Sequence, residues 1–272
     1  MRKNQRTQLC DFLQYEKGWG NMLTKTRQKE ILKLLENRGS VTLQELKDHL
    51  NTSESTIRRD LNTLDAQGKL VKVFGGAVAA DNMSIRDEQV SRREEKNLEE
   101  KRMIARYAAS LIQDDDFVYL DAGTTTGCML DYISDTTTAV FVTNAPSHAQ
   151  KLARKGMEVI LIGGRLKQST EAVVGEEACR QIEKFNFSLG FLGSNGVSER
   201  SGFSTPDPDE AMVKKRAIER IHRCFVLCDH TKFYKVSPIS FAKLEDAVVL
   251  TDSAPQGNFQ EMPNIVEISE DE

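Results

Sequence analysis

The stretch that decides the fold is Ser53-Glu54-Ser55-Thr56-Ile57-Arg58-Arg59-Asp60-Leu61-Asn62-Thr63-Leu64. A hydroxyl followed at once by an acid reads as a helix start. Ser53 can cap a free amide, and Glu54 meets the positive end of the helix dipole. Ile57, Leu61 and Leu64 then recur at offsets of four and three, the spacing of one buried helical stripe. The opposite face holds Ser55, Thr56, Arg58, Arg59, Asn62 and Thr63. Such side chains donate to phosphate oxygens, and Arg or Asn also reads base edges through paired hydrogen bonds. One face calls for a protein core and the other for a polyanion.

Upstream, Thr42-Leu43-Gln44-Glu45 is a capping box, in which Thr42 and Glu45 satisfy each other's free amides. It opens a second helix with Leu43, Leu46 and Leu50 inward, and Asn51-Thr52 supplies the tight turn that a helix-turn-helix requires. Before that, Ile31, Leu34 and Leu35 share a face of a first helix, with Gly39 as its stop. Downstream of Gly68, Lys69-Leu70-Val71-Lys72-Val73-Phe74 alternates like a strand and meets Gly75-Gly76, then Ala77-Val78. This reads as a hairpin, a wing, with Lys69 and Lys72 in reach of a DNA backbone. A plain three-helix bundle with solvating arginines accounts for any one of these features. Their conjunction predicts a winged helix-turn-helix over residues 22–80, with Ser53, Ser55, Thr56, Arg58, Arg59, Asn62, Lys69 and Lys72 facing DNA.

The segment from Ser53 to Leu61, preceded by Arg27-Gln28-Lys29-Glu30-Ile31, resembles the signature of the DeoR family of bacterial transcriptional regulators. The resemblance implies that this helix enters the major groove. Asp60 belongs to the family pattern. Because a carboxylate beside phosphate is repulsive, Asp60 is expected to serve a neighbouring Arg.

The chain has 272 residues, with 41 Asp+Glu against 37 Lys+Arg, and 39% are hydrophobic, enough for real cores. The charge is unevenly spread: residues 1–21 carry net +2, 22–80 net +3 and 81–272 net −9. A small basic piece joined to a larger acidic one fits a nucleic-acid reader attached to something else. No run of ~18 apolar residues is present, so no membrane span is expected. The charged N-terminus does not read as a secretory signal, and five scattered cysteines suit a reducing compartment, so a cytoplasmic protein is expected. Lys17-Gly18-Trp19-Gly20, read back into codons, gives a G-heavy stretch like a bacterial ribosome-binding site just before Met22. Residues 1–21 are therefore expected to be either an upstream translation artefact or a disordered arm.

Residues 81–97 are densely charged and read as a linker. They pass into a helix carrying Leu98, Ile104, Ala108, Leu111 and Ile112. Beyond it, six apolar runs alternate with helical patterns: 117–120, 139–143, 159–162, 189–192, 224–228 and 247–250, with helices expected at 147–155, 176–185 and 209–222. Near-continuous apolar strands belong to a mostly parallel sheet covered on both faces. The fold class is thus α/β: an N-terminal winged helix-turn-helix plus an effector domain over 98–272.

In such sheets, ligands sit beyond the C-terminal strand ends. There the chain has Asp121-Ala122-Gly123-Thr124-Thr125-Thr126-Gly127, Asn144, Gly163-Gly164-Arg165, Gly193-Ser194-Asn195-Gly196, Asp229-His230-Thr231-Lys232 and Asp252. Small residues and hydroxyls at a helix start suit an anion, although a capped helix start with no ligand reads the same way. No Gly-Lys-Ser/Thr follows, so this is not a P-loop. The order of these loops resembles the sugar-binding domain of the DeoR family, itself similar in fold to ribose 5-phosphate isomerase. The resemblance implies that Gly123, Thr124, Thr125 and Thr126 hold the phosphate of a sugar-phosphate effector, with Asp121, Asn144, Lys214, Asp229 and Lys232 around the sugar.

The isomerase family carries two aspartates in an Asp-Gly-Ala-Asp loop, where this chain has Gly193-Ser194-Asn195-Gly196. Binding without turnover is the expectation, with a sugar-phosphate isomerase-like enzyme bearing an accessory helix-turn-helix as the alternative. No cofactor or metal is expected. Cys224 and Cys228 would stand ~13 Å apart along one strand face, too far to share an ion, and the four histidines have no ligand spacing. The expected partners are operator DNA and a phosphorylated sugar. The chain is expected to act as a homodimer or homotetramer that represses a carbohydrate-utilisation operon, with a fructose phosphate as the favoured effector.

Overall fold

The computed structural model describes residues 23–38, 40–73, 75–79, 89–255 and 258–269. The chain divides into two compact units, Met1–Asn82 and Met83–Glu272. The expectation for residues 1–21 lies outside the described residues.

In the N-terminal unit, α1 spans Thr24–Arg38, β1 Ser40–Thr42, α2 Leu43–Leu50, α3 Glu54–Ala66, β2 Leu70–Val73 and β3 Gly76–Ala79. Its core is Ile31, Leu35, Leu46, Leu50, Ile57, Leu61, Leu64 and Leu70, all buried, while Leu34 and Leu43 pack against it partly exposed. Burying each of these side chains stabilises the unit by roughly 1.5–3 kcal/mol before entropy is counted. Thr42 and Glu45 form the reciprocal capping box, and Asn51 closes α2 in the left-handed region at φ 42°. Ser53 caps α3 through the amide of Thr56. The expected Gly39 stop lies outside the described residues.

The wing differs from expectation by one residue. Val73 pairs with Gly76, so the turn closes before Gly76, which belongs to β3. The two glycines therefore do different things. Gly75 supplies φ +84° for the turn. Gly76 lets β1 approach, since a Cβ there would fall 2.1 Å from the Val41 carbonyl oxygen. That third strand, antiparallel to β3, is too short to show alternation in the sequence.

In the C-terminal unit, the elements in chain order are α4 Val90–Glu95, α5 Leu98–Ser110, β4 Phe117–Leu120, α6 Thr124–Met129, β5 Val140–Thr143, α7 Pro146–Arg154 and β6 Val159–Leu161. Then come β7 Arg165–Leu166, β8 Val173–Val174, α8 Glu176–Ile182, β9 Phe187–Gly193, β10 Gly196–Ser198, β11 Gly202–Thr205 and α9 Pro208–Ile218. The unit closes with β12 Ile221–Leu227, β13 Ile239–Ala242, β14 Val248–Thr251 and β15 Ile265–Glu267. Seven strands form one sheet in the order β15-β14-β12-β9-β4-β5-β6, every pairing parallel.

Strand alternation sends Val118, Leu120 and Phe191 into a layer under α5, α6 and α7. Tyr119, Val142 and Leu192 go into a second layer under α8 and α9. With both faces covered, all strand C-termini open at one edge.

Two expectations are corrected here. The helix expected over 209–222 ends at Ile218, because Ile221 pairs with Phe187 as the first residue of β12. Its side chain occupies the space over Gly190, where a Cβ would lie 2.3 Å from it. The charged stretch ending at residue 97 contains a helix, α4, which packs against α6.

Candidate functional site

In the N-terminal unit, Ser53, Ser55, Arg58, Arg59, Asn62 and Lys69 are exposed, and Thr56 and Lys72 are half-buried. The structure brings these eight residues onto α3, its cap and the adjoining wing. The Ser53 hydroxyl lies within 3.0 Å of those of Ser55 and Thr56, so the first turn of α3 presents a hydroxyl cluster. Arg58 forks onto Glu54 at 2.8 and 2.7 Å, but both side chains are about half exposed and such a pair contributes little. Its guanidinium is free to exchange that carboxylate for phosphate. Lys72 Nζ donates to Asn62 Oδ1 at 2.6 Å, and its backbone N–H donates to Asp65 Oδ1 at 3.0 Å, which ties the wing to α3.

Asp60 is buried and takes an ion pair from Arg27 of α1, with Gln28 donating to its other oxygen at 3.4 Å. The expected Arg partner is thus supplied from another helix, locking α1 across α3. Arg59, Thr56 and Thr63 line a surface groove of about 520 Å³ with Thr24 and Arg27.

In the C-terminal unit, Asp121 follows β4 and is almost fully buried. Its Oδ2 accepts the Gly193 N–H at 3.1 Å and an ion pair from Lys214 of α9. Lys214 also donates to the Gly193 carbonyl at 3.0 Å and lies 5.6 Å from the centroid of the Phe241 ring. These contacts brace the ends of β4 and β9 against α9, with the two charges neutralising each other. Thr126 accepts the Gly123 N–H at 3.0 Å and donates to the carbonyl of Asp121 or Gly123, both 2.7 Å away. It therefore shapes the loop from within. Thr124, Gly123 and Ala122 line a cavity of about 280 Å³, and Thr125 is buried beside them. Asn144 is also inward: its amide donates to the Val173 carbonyl at 3.1 Å, and its oxygen accepts from the Tyr119 hydroxyl at 3.3 Å.

Asp229 is buried at the end of β12 and accepts from Asn97 at 3.0 Å, from the Thr231 amide at 3.0 Å and from the Thr231 hydroxyl. Burial opposes its ionisation, but Lys232 and these donors outweigh it and hold the carboxyl below the usual range. Asp121 and Lys214 therefore meet directly, Lys232 stands 4.0 Å from Asp229, and Asn144 joins Tyr119 and Val173.

Three further buried polar groups belong to this unit. His148 of α7 lines the cavity; burial pushes its pKa down to about 4, and its Nδ1 has no hydrogen-bond partner. Lys101 of α5 is buried, and its pKa is lowered by burial and then by the charge of Lys232. The visible signal for Lys101 was its place three residues after Leu98 and three before Ile104, on the apolar stripe. Glu210 is buried under Thr170, with Lys167 at 3.2 Å and Thr205 at 3.3 Å. Both Glu210 oxygens are occupied by protein donors. No group of three or more potential metal ligands occurs among the described residues, nor does any helix there long and apolar enough to cross a membrane.

A family model described as a DeoR-like helix-turn-helix domain matches residues 27–83, and one described as a DeoR C-terminal sensor domain matches residues 96–253. The chain is 41% identical over 243 residues to an uncharacterised HTH-type transcriptional regulator, FruR, of Bacillus subtilis, covering 88% of this chain and 96% of the relative. It is 33% identical over 247 residues to a lactose phosphotransferase system repressor of Staphylococcus aureus, covering 89% and 97%. Among solved structures it is similar to a ribose 5-phosphate isomerase A from Methanocaldococcus jannaschii. That likeness has 14% identity and a TM-score of 0.39, and covers 52% of this chain and 56% of that one. The two sequence relatives are transcriptional regulators and not enzymes.

Proposed function

The chain belongs to the DeoR family of DNA-binding transcriptional regulators, and from that premise we propose that it represses a carbohydrate-utilisation operon until a phosphorylated sugar releases it. The observation that carries the sensor half is the cavity beyond the strand ends, lined by Gly123 and Thr124 and backed by Thr125. Asp121, Lys214, Asp229 and Lys232 surround that edge in two ion pairs. A sugar phosphate matches this combination of backbone amides, hydroxyls and fixed charges. Thr126 and Asn144 then serve by shaping the walls. That one relative is a phosphotransferase-system repressor supports repression as the sense of control. A fructose phosphate is the favoured ligand.

On the DNA side, Arg58, Arg59 and Asn62 address the major groove, while Ser53, Ser55, Thr56, Lys69 and Lys72 hold phosphates. A dimer, alone or within a tetramer, sets two such helices ~34–36 Å apart on successive major-groove turns. For the sugar to release DNA it must bind the non-operator arrangement more tightly than the operator-competent one. Fluorescence anisotropy of a labelled fragment of the gene's own promoter tests this. Fructose 1-phosphate, fructose 6-phosphate or tagatose 6-phosphate should lower the anisotropy, and unphosphorylated fructose should not. An unresponsive complex with all of them would reject the reading.

A further inference from the structure

We propose that Lys72 of the wing fixes the amide of Asn62 on α3, so that the two side chains together offer hydrogen-bond donors to the major groove and select guanine at one operator position. The inference rests on the reading of α3 as the groove helix. It goes beyond that reading by giving Lys72 a part in base choice, exercised through Asn62.

Asn62 is exposed and stands four residues after Arg58, on the face of α3 opposite the buried Ile57, Leu61 and Leu64. An asparagine amide that is free to turn presents an acceptor and a donor side by side, the pattern that matches N6 and N7 of adenine. Lys72 removes that freedom. Its Nζ lies 2.6 Å from Asn62 Oδ1. An ammonium can only donate, so the atom it meets must be the amide oxygen, and Nδ2 faces the other way. A cation beside that oxygen repels the amino group of adenine and attracts O6 of guanine. Ammonium and amide nitrogen both donate, and guanine is the base whose major-groove edge carries two acceptors, O6 and N7.

The backbone delivers the ammonium to this place. The Lys72 N–H donates to Asp65 Oδ1 at 3.0 Å, three residues after Asn62 on the same helix. Lys72 also pairs with Ala77 within the β2–β3 ladder. Neither contact uses the Lys72 side chain, so the wing keeps its position against α3 when that side chain is replaced. Neighbouring polar groups on α3 are turned elsewhere: the Thr63 hydroxyl donates to the Arg59 carbonyl at 2.9 Å, and Arg58 donates to Glu54 at 2.8 Å. The three N–H groups of an ammonium leave two for DNA after the bond to Asn62, so orienting the amide and touching the duplex are compatible roles.

The test measures the full chain by fluorescence anisotropy against fragments of the gene's own promoter that carry every single-base substitution in turn. Wild type, Asn62→Ala, Lys72→Met and Lys72→Arg are compared. Asn62→Ala should flatten base preference at one position of each half-site, and wild type should favour guanine over adenine there. Lys72→Met should move the guanine-to-adenine affinity ratio at that position about 5–150-fold towards adenine, the range for one paired base contact. Lys72→Arg, which keeps a cationic donor, should retain guanine. A lysine that only grips phosphate would instead weaken every fragment alike and lower the salt slope. Uniform weakening with the ratio unchanged therefore overturns the inference. So does a wild-type preference for adenine at the position Asn62 reads, or an Asn62→Ala variant with every preference intact. Each of these leaves the DNA-binding reading standing, whereas a wild-type protein that binds none of the fragments removes both.

Discussion

Replacing Lys214 with Met isolates the brace at the strand ends. The two side chains of the Lys214–Asp121 pair are 9% and 3% exposed, so neither charge has water to fall back on. Methionine keeps much of the packing volume but leaves Asp121 with a single amide donor, that of Gly193 at 3.1 Å. Stranding one member of a buried pair costs about 3–5 kcal/mol. At roughly 2–4 °C per kcal/mol for a unit of this size, the sensor transition should melt about 6–20 °C lower. Adding Asp121→Asn removes the stranded charge while keeping an acceptor for Gly193. The double variant should therefore recover about 2–3 kcal/mol of the loss as coupling energy. Thermal unfolding of the four proteins by circular dichroism, read on the sensor transition, closes the cycle. A single variant within about 2 °C of wild type, or a double variant no better than the single, would refute the buried brace.

Further outcomes follow from the same geometry. Replacing Arg58 or Arg59 with Ala should each cost about 1–3 kcal/mol of operator affinity, and a lost phosphate contact should also reduce the salt slope by about one; anisotropy at several salt concentrations checks this. Thr124→Glu sets a carboxylate on the cavity wall where the phosphate is to sit, so operator binding should persist while sugar phosphates no longer release it in the same assay. His148 stays neutral in the fold down to about pH 4, whereas the unfolded imidazole takes up a proton near pH 6.5. Protonation therefore favours the unfolded chain, and stability should be complete above pH 6.5 and fall by about 3 kcal/mol as the pH drops to 4. Denaturant titrations should show that His148→Gln flattens this window; an unaltered slope would assign the effect elsewhere.

Much of this was legible because local rules and tertiary structure agree. The capping box at Thr42 and Glu45 and the stripe Ile57, Leu61 and Leu64 each satisfy a local rule, and the apolar runs of the central strands feed both core layers of one parallel sheet. What was hidden has physical causes. The strands β10, β11 and β13 are three or four residues long and lie among Ser and Gly, where no alternation can establish itself. The end of α9 carries no Gly or Pro; only the sheet's claim on Ile221 stops it.

In the site, positions just after strands were readable from the parallel topology, but the use of each side chain was not. Thr126 and Thr124 are chemically identical and two residues apart, yet one locks the loop and the other faces the cavity. Lys101 closes a run of charges that reads as solvated surface, because burial of one charged residue depends on what packs over its helix.

The central claim is that sugar phosphate and operator compete through one equilibrium, and linkage makes that claim measurable from both sides. Operator affinity should be titrated with and without saturating fructose 1-phosphate, and the affinity for that sugar phosphate should be titrated with and without saturating operator. The account predicts that each ligand weakens the other by the same factor, of order 5–150-fold. A sugar phosphate that binds equally well to the free and operator-bound protein would contradict it.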